Sequence, residues 1–337
     1  DYEMREYCAD VIEAITEVTA EAGVAHPDII TESGRAVVAY YSVLIINILD
    51  VNRFETNSPT VVTKGAPALL KNLMDLYGET KTTLSTKLTR ERLQEVYNDA
   101  VYYRDKLRTE FSYGKVTLRQ RSQGEELYWE IMNFVSSKLK STGHDGAQME
   151  RLAAVQTDFY YGNFSVFQSL PDLWAIDQIF PVMPIHRLKE KPERSVVLSD
   201  ITCDSDGKIC HFAHSEELHA TLPLHDIDFK VGEDYMLGIF LVGAYQETLG
   251  DLHNLLGDTN VASVRIDNGK LKYSNELEGD TVAEVLSYVE YDPKELVTRL
   301  RNLAESAVVS KRITATERRE IMGAFEEGLR GYTYFES

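Results

Sequence analysis

The hydrophobic positions of this chain change their spacing several times along its length. Near the start, Tyr7, Val11, Ile12, Ile15 and Val18 recur at helical spacing, and Gly23 stands where a C-terminal cap belongs. Pro27 then opens a short extended run, Asp28-Ile29-Ile30-Thr31, which leads into the polar loop Glu32-Ser33-Gly34-Arg35. A helix feeding a short buried strand that ends in a glycine loop is the repeating piece of an α/β barrel or an open α/β sheet. One such piece cannot close a parallel sheet. Its partner strands are expected elsewhere, most simply upstream of Asp1, so the chain reads as the back part of a larger protein. Residues 36–49 follow as a continuous apolar run rich in Val and Ile, the pattern of a fully buried segment.

From residue 67 to 161 the period is helical again: Leu93, Val96, Tyr97, Ala100, Val101, Leu107 and Phe111, then Leu127, Ile131, Phe134 and Val135. Gly and Pro are rare inside these stretches, which predicts a bundle of amphipathic helices. Residues 163–291 are strand-rich, with Asp206-Gly207 and Asn268-Gly269 as hairpin-turn signals between apolar runs, and residues 235–242 as a further buried strand. Several such strands with polar turns predict an antiparallel sandwich or barrel. The tail returns to helix: Asp292-Pro293 is an N-cap with Pro at the first helical position, and Thr314 with Glu317 makes a capping box. The expected fold class is α/β plus β, divided as 1–50 (the end of an α/β barrel and a crossover), 51–162 (a helical bundle), 163–291 (a β domain) and 292–337 (a helical tail).

Composition narrows the function classes. With 35 Lys+Arg against 54 Asp+Glu the net charge is −19, which repels phosphate backbones and argues against nucleic-acid binding. The longest nearly apolar stretch, 235–245, is about half of the roughly 20 residues that a membrane helix requires. Three cysteines cannot build a disulfide framework, and their odd count points to a reducing, cytoplasmic setting. The 337 residues suggest about two domains by length alone. The chain opens Asp1-Tyr2-Glu3-Met4, with neither an initiator Met nor a signal-peptide pattern.

Three features could carry chemistry. In Glu32-Ser33-Gly34-Arg35, a glycine loop after a strand can present backbone N–H groups to a phosphate, with Arg35 adding a charged donor fork; a plain turn with a surface ion pair is the alternative. In Thr202-Cys203-Asp204-Ser205-Asp206-Gly207, a thiol at a strand end beside two carboxylates could act as an acid or base near a cationic ligand. The alternative is a small buried hydrophobe next to an ordinary Asp-Gly turn. In Leu241-Val242-Gly243-Ala244-Tyr245, small residues let backbone approach a ligand and the Tyr hydroxyl can bond a phosphate oxygen; a sheet end covered by an aromatic is the alternative. Cys210, His211, His214, His219 and His225 crowd one stretch, but their spacing is not that of a structural zinc site, and Ser215, Glu216 and Glu217 make it read as a solvated loop. No metal ligand is assigned.

Taken in order, these motifs resemble the fold-type III pyridoxal-phosphate decarboxylases of the alanine racemase and ornithine decarboxylase type, and within them the biosynthetic arginine decarboxylases. The resemblance covers nearly the whole chain. It is carried by His26-Pro27 through Ala36, by Asn163-Phe164-Ser165 through Asp172, by Trp174-Ala175-Ile176-Asp177-Gln178 and by Pro184 through Leu188. Asp200 through Gly207, Gly238 through Asn260 and the closing Glu326 through Tyr334 complete it. It implies the last unit of a cofactor-binding TIM-type barrel, a helical-bundle insertion, and a C-terminal β sandwich or barrel with a helical tail.

The resemblance also implies roles. Glu32 would face the pyridine nitrogen of pyridoxal 5'-phosphate and favour its protonated form. Gly34, Arg35 and Tyr245 would hold the cofactor phosphate. Cys203 would return a proton after decarboxylation, and Asp204, joined by Asp206, would bind the distal guanidinium of L-arginine. Cys and Asp would come from the neighbouring subunit, so the enzyme would be a homodimer or higher homo-oligomer with shared active sites. Related ornithine enzymes carry Asn-Asp-Gly where this chain has Asn163-Phe164-Ser165, a departure that suits a different distal group; Ser33 stands where many relatives have Pro. The Schiff-base lysine would lie on an early barrel strand preceding Asp1, in the N-terminal barrel portion of the same protein; Lys64, beside Gly65, lacks the required strand context. Family members are described with magnesium, for which nothing in the sequence specifies a site. The expected activity is conversion of L-arginine to agmatine and carbon dioxide in polyamine synthesis. The alternatives are the same chemistry on another basic amino acid or on a carboxylated polyamine, or a non-catalytic regulatory homologue.

Overall fold

The computed structural model describes residues 3–53, 65–82, 89–141, 157–214, 217–229, 232 and 234–336. Its architecture follows from which apolar stripes find partners. Helix α1 (Met4–Ala22) ends as expected, with Gly23 in the left-handed region at φ 64° capping the helix, yet none of its residues is buried. The run 28–31 forms no strand and Ile30 is 93% exposed. The expected strand is therefore corrected to an unpaired segment, because a parallel strand exists only where neighbours complete its ladder.

The 36–49 run is not the fully buried segment its composition predicts. It divides into a short helix α2 (Gly34–Val38), a 3₁₀ turn (Ala39–Tyr41) and strand β1 (Val43–Asn52). Only Ala39, Ile46 and Ile48 are buried, while Val37, Tyr40, Tyr41 and Ile45 stay exposed. A strand has two faces of opposite direction, and here just one of them meets the core.

Between β1 and the next strand the described residues form three helices, α3 (Ala68–Thr82), α4 (Arg90–Ser112) and α5 (Leu118–Ser141). Leu70, Leu73, Leu93, Val96, Ala100, Leu107, Leu127, Ile131 and Val135 close one separate core among them, as the helical period predicts. Lys64 lies outside the described residues.

The chain then builds the sheet: β2 (Asp158–Gly162), the short helices α6 (Val166–Ser169) and α7 (Pro171–Ile176), β3 (Val182–Pro184), β4 (Arg194–Ser199) and β5 (Lys208–Ile209) come first. After them come β6 (Phe212–His214), β7 (Glu217–His219), β8 (Leu222–Leu224) and β9 (Met236–Phe240). β1 lies in the middle of a seven-stranded sheet of order β3-β9-β1-β2-β4-β5, with β8 also on β4. It pairs antiparallel with β9 (Ile45 opposite Gly238) and with β2, while β2 and β4 run parallel. This is one mixed, barrel-like sheet rather than an antiparallel sandwich. It wraps a single core to which Ile46, Tyr160, Val196, Leu198, Leu224, Leu237 and Ile239 contribute.

The two turn signals have different outcomes. Asn268 (φ 49°) and Gly269 (φ 73°) both take the left-handed conformation and join β10 (Val261–Asp267) to β11 (Lys270–Leu277) in a two-residue hairpin. Asp206-Gly207 makes no such turn. β4 and β5 pair Ser199 with Lys208, so residues 200–207 form an eight-residue loop, and Gly207 has no positive φ. The 210–225 stretch, read as a solvated loop, includes the antiparallel pair β6–β7 and strand β8; Ser215 and Glu216 lie outside the described residues.

Three helices finish the chain: α8 (Val282–Tyr288), α9 (Pro293–Val309) and α10 (Ala315–Arg330). Asp292 caps α9 through the N–H groups of Lys294 and Glu295, and Thr314 and Glu317 form the capping box of α10. The tail is bound back to the sheet: Asn163 donates to the Phe335 carbonyl and accepts from its N–H, and the Tyr334 hydroxyl donates to the Gly257 carbonyl at 2.9 Å. Among the described residues no helix is long and apolar enough to cross a membrane.

Candidate active site

The Glu32 loop turns sharply at Ser33, whose φ of 50° lies in the left-handed region, and α2 starts at the next residue. Glu32 itself is exposed. Gly34 faces Tyr245 so closely that a Cβ there would meet the tyrosine hydroxyl at 2.5 Å, so no side chain fits. Arg35 crosses to α7, donating from Nη2 to Asp172 Oδ2 at 2.8 Å, and its guanidinium lies 5.4 Å from the centre of the Tyr245 ring. The structure thus brings Gly34, Arg35 and Tyr245 together.

Two supports hold this cluster. The stretch ending at Tyr245 (φ 71°) is pressed onto the 3₁₀ turn after α2: Gly243 donates to the Ala39 carbonyl at 2.9 Å, and a Cβ on Gly243 would collide with the Val38 carbonyl and the Tyr41 ring. Asp172, buried, follows Pro171 in the first turn of α7 and also accepts from Gln246 Nε2 at 2.6 Å, while its own N–H donates to Gln246 Oε1. Arg35 therefore has one arm fixed by a buried carboxylate. Its other terminal nitrogen, Nη1, is buried and has no hydrogen-bond partner among the described residues. A buried charged donor without a partner is costly and calls for an acceptor.

The second group is the 200–207 loop. Asp200, 3% exposed, is its hub: Oδ2 accepts from the Val166 N–H at 2.8 Å, and Oδ1 accepts from the Thr202 N–H and hydroxyl at 2.9 and 2.8 Å. The Asp200 N–H donates to the Gly207 carbonyl at 2.8 Å, closing the loop, and Gly207 has no room for a Cβ against Asp200 and Thr202. Cys203 sits at the tip, exposed, so the alternative of a buried small hydrophobe is set aside. Asp204 Oδ1 accepts the Asp206 N–H at 2.8 Å, and both aspartates are exposed.

No hydrogen bond or ion pair among the described residues joins Cys203, Asp204 or Asp206 to Glu32, Gly34, Arg35 or Tyr245. The sequence reading also missed the residues that hold each group in place, Asp172 and Gln246 for one and Asp200 and Asn254 for the other. Asp172 meets Arg35 across 137 positions, and no local pattern signals a pair at that distance.

The crowded histidines do not converge. His225 is buried, with Nε2 3.1 Å from the Glu190 carbonyl, so that nitrogen carries the proton and Nδ1 accepts from the Tyr235 hydroxyl at 2.7 Å. Among the described residues no group of three or more His, Cys, Asp or Glu could hold a metal ion. All three cysteines are free.

Two family models match the chain: the arginine decarboxylase helical bundle domain at residues 63–153 and the arginine decarboxylase C-terminal helical extension at residues 282–335. The biosynthetic arginine decarboxylase of Bacteroides thetaiotaomicron is 42% identical over 100% of this chain and 52% of its own length. The chain belongs to the biosynthetic arginine decarboxylase family. The member from a Nostoc species is 37% identical over the whole chain and 48% of its own length. The crystal structure of the biosynthetic arginine decarboxylase from Campylobacter jejuni superposes with a TM-score of 0.77 at 31% identity, over 100% of this chain and 53% of that one. The chain spans about half the length of the curated relatives it matches. The family's helical bundle domain takes in α3, α4 and α5, and its helical extension takes in α8 to α10.

Proposed function

We propose that this chain forms part of an enzyme that converts L-arginine to agmatine and carbon dioxide in polyamine biosynthesis, with pyridoxal 5'-phosphate as cofactor. The observation that carries the reading is the cluster of Gly34, Arg35 and Tyr245 around the unpartnered Arg35 Nη1. A buried guanidinium nitrogen without an acceptor, beside a glycine and a phenol, suits a phosphate group. Bound pyridoxal phosphate supplies an electron sink for the pair released when carbon dioxide leaves.

The residues of this chain then divide the work. Arg35, fixed by Asp172, would take the phosphate with Gly34 and Tyr245, and Glu32 would stand at the pyridine nitrogen, where a carboxylate favours the protonated ring. Asp204 and Asp206 would hold the substrate guanidinium with a charge-assisted pair. Cys203 would deliver its S–H proton to the substrate carbon that has lost carbon dioxide. As the family resemblance implies, the reading includes a homodimer or higher homo-oligomer in which each thiol serves its neighbour's site. The Schiff-base lysine would come from the N-terminal barrel portion of the same protein, and the division at 50, 162 and 291 is proposed with it. The free thiols suit a reducing, cytoplasmic setting. No role is assigned to magnesium.

Carbon-labelled arginine and ornithine, supplied to the full-length holoenzyme, test the reading. Labelled carbon dioxide is expected from arginine and not from ornithine; equal release from both would overturn the specificity.

A further inference from the structure

Cys203 is held at its backbone N–H and at its sulfur by one residue that no motif pointed to. Asn254 Oδ1 accepts the Cys203 N–H at 3.2 Å, and its Nδ2 donates to Cys203 Sγ at 3.4 Å. The amide orientation is forced, because a backbone N–H must face the oxygen, which leaves the amide N–H for the sulfur. Since the sulfur accepts from Asn254 and the residue is exposed, the thiol hydrogen is free to be donated elsewhere.

Asn254 is itself placed by strain and packing. It sits in the left-handed region at φ 56°, followed by Leu255 at φ 57°, and an asparagine tolerates this conformation better than most side chains. The loop that carries it is pressed onto α6: the Asp251 N–H donates to the Phe167 carbonyl at 3.0 Å, the His253 ring lies 4.4 Å from the Phe167 ring, and a Cβ on Gly250 would meet the Gln168 carbonyl at 2.5 Å. Tyr245 begins the same loop. One rigid segment thus carries the phenol of the cofactor cluster at its start and the holder of the thiol at its end.

We propose that Asn254 is the positioning residue that aims the Cys203 S–H at the reacting carbon. The inference rests on the reading of Cys203 as proton donor. In that step the S–H bond breaks, the proton joins the carbon that holds the pair left by carbon dioxide, and the sulfur keeps its electrons as a thiolate that regains a proton from water. A thiol out of position lets the proton reach the wrong atom; water then supplies the oxygen as the carbon–nitrogen bond breaks, and the product released is the aldehyde 4-guanidinobutanal in place of the amine.

Two variants test this in the full-length holoenzyme. Asn254→Asp keeps the acceptor for the Cys203 N–H and loses the donor to sulfur; Asn254→Gly loses both and accepts the positive φ. Both are expected to raise the aldehyde share of product about tenfold and to lower kcat about 10- to 100-fold, with KM changed less than about twofold. In cofactor-free enzyme, alkylation of Cys203 by iodoacetamide, followed by peptide mass spectrometry against Cys8 and Cys210, is expected to change severalfold. Thermal melting checks that both variants fold. A wild-type product ratio and wild-type alkylation in both variants, alongside a raised aldehyde share in Cys203→Ala, would overturn the role of Asn254. A wild-type product ratio in Cys203→Ala would instead overturn the proton-donor reading, and this inference with it.

Discussion

The inside of the sheet and its rim treat polar groups in opposite ways. Inside, Tyr160, His225 and Tyr235 close on one another: the Tyr160 hydroxyl donates to the His225 carbonyl at 2.9 Å, the Tyr235 hydroxyl donates to His225 Nδ1, and the His225 N–H returns to the Tyr235 oxygen. Each side-chain donor of these three residues is answered, as a low-dielectric interior demands. At the rim, Asp172 and Asp200 are just as buried, but each fixes a group that ends in something open, the Arg35 Nη1 donor or the exposed Cys203 thiol. Closed networks belong to the fold. On the proposed reading, buried carboxylates with one open end mark where the fold holds chemistry in place.

The largest test of this contrast is Asp200→Ala. It leaves the buried Val166 N–H and the Thr202 N–H and hydroxyl without their acceptor, and a loss of about 3–5 kcal/mol is expected. Chemical denaturation of the full-length protein measures it. The same variant should speed alkylation of Cys203, because the Thr202 N–H and hydroxyl next to it lose the carboxylate that holds that side of the loop. Unchanged thiol reactivity would mean that Asp200 serves the core alone.

The core network makes a pH-dependent prediction. Burial pushes the Tyr235 hydroxyl up to about 12, with the His225 N–H acting in the opposite sense. Between pH 10 and 12 the unfolded chain has lost this proton and the folded chain keeps it, so stability falls as pH rises through that window and is fully present below it. The contribution is about 2–3 kcal/mol. Burial also raises Tyr160 and Tyr334, so the Tyr235 share is read as the difference between wild type and Tyr235→Phe in melts at pH 9 and pH 12. A difference that does not change with pH would break the picture of a closed core.

Arg35→Leu addresses the rim from its open end. Asp172 keeps the Gln246 amide, so the stability cost is expected to be modest, about 1–2 kcal/mol. Cofactor affinity should fall at least about tenfold, read by fluorescence titration of pyridoxal phosphate into the full-length enzyme. A large stability loss with unchanged affinity would return Arg35 to the closed, structural class.

What could be read beforehand divides along the same line. The bundle helices, the Asn268-Gly269 hairpin and the caps at Asp292 and Thr314 were legible because each depends on neighbours within a few positions. The strand expected at 28–31 and the burial expected for 36–49 were not, since both depend on what lies beside a strand rather than in it. The 200–207 loop looked like a two-residue turn because Asp206-Gly207 is a local signal, whereas Asp200 closes the loop from inside. For the candidate site, Glu32, Gly34, Arg35, Cys203, Asp204, Asp206 and Tyr245 stood out by motif and resemblance. Their holders, Asp172, Gln246, Asp200 and Asn254, act across the fold and leave no spacing to find.

The smallest effect separates the two functions of the Asp200 hub. Thr202→Val replaces the hydroxyl with a methyl of similar volume, while the Thr202 N–H still donates to the same carboxylate oxygen at 2.9 Å. One of the bonds to Asp200 is lost, and Thr202 is half-buried, so the expected cost is about 1 kcal/mol or less. Asp200 still closes the loop through the Gly207 carbonyl, and Asn254 still holds Cys203 at its N–H and its sulfur. Denaturation should therefore register a small loss while the Cys203 alkylation rate stays at the wild-type value. If alkylation moves as far as in Asp200→Ala, the hydroxyl rather than the carboxylate sets the loop, and the rim is built like the core, from bonds of equal standing.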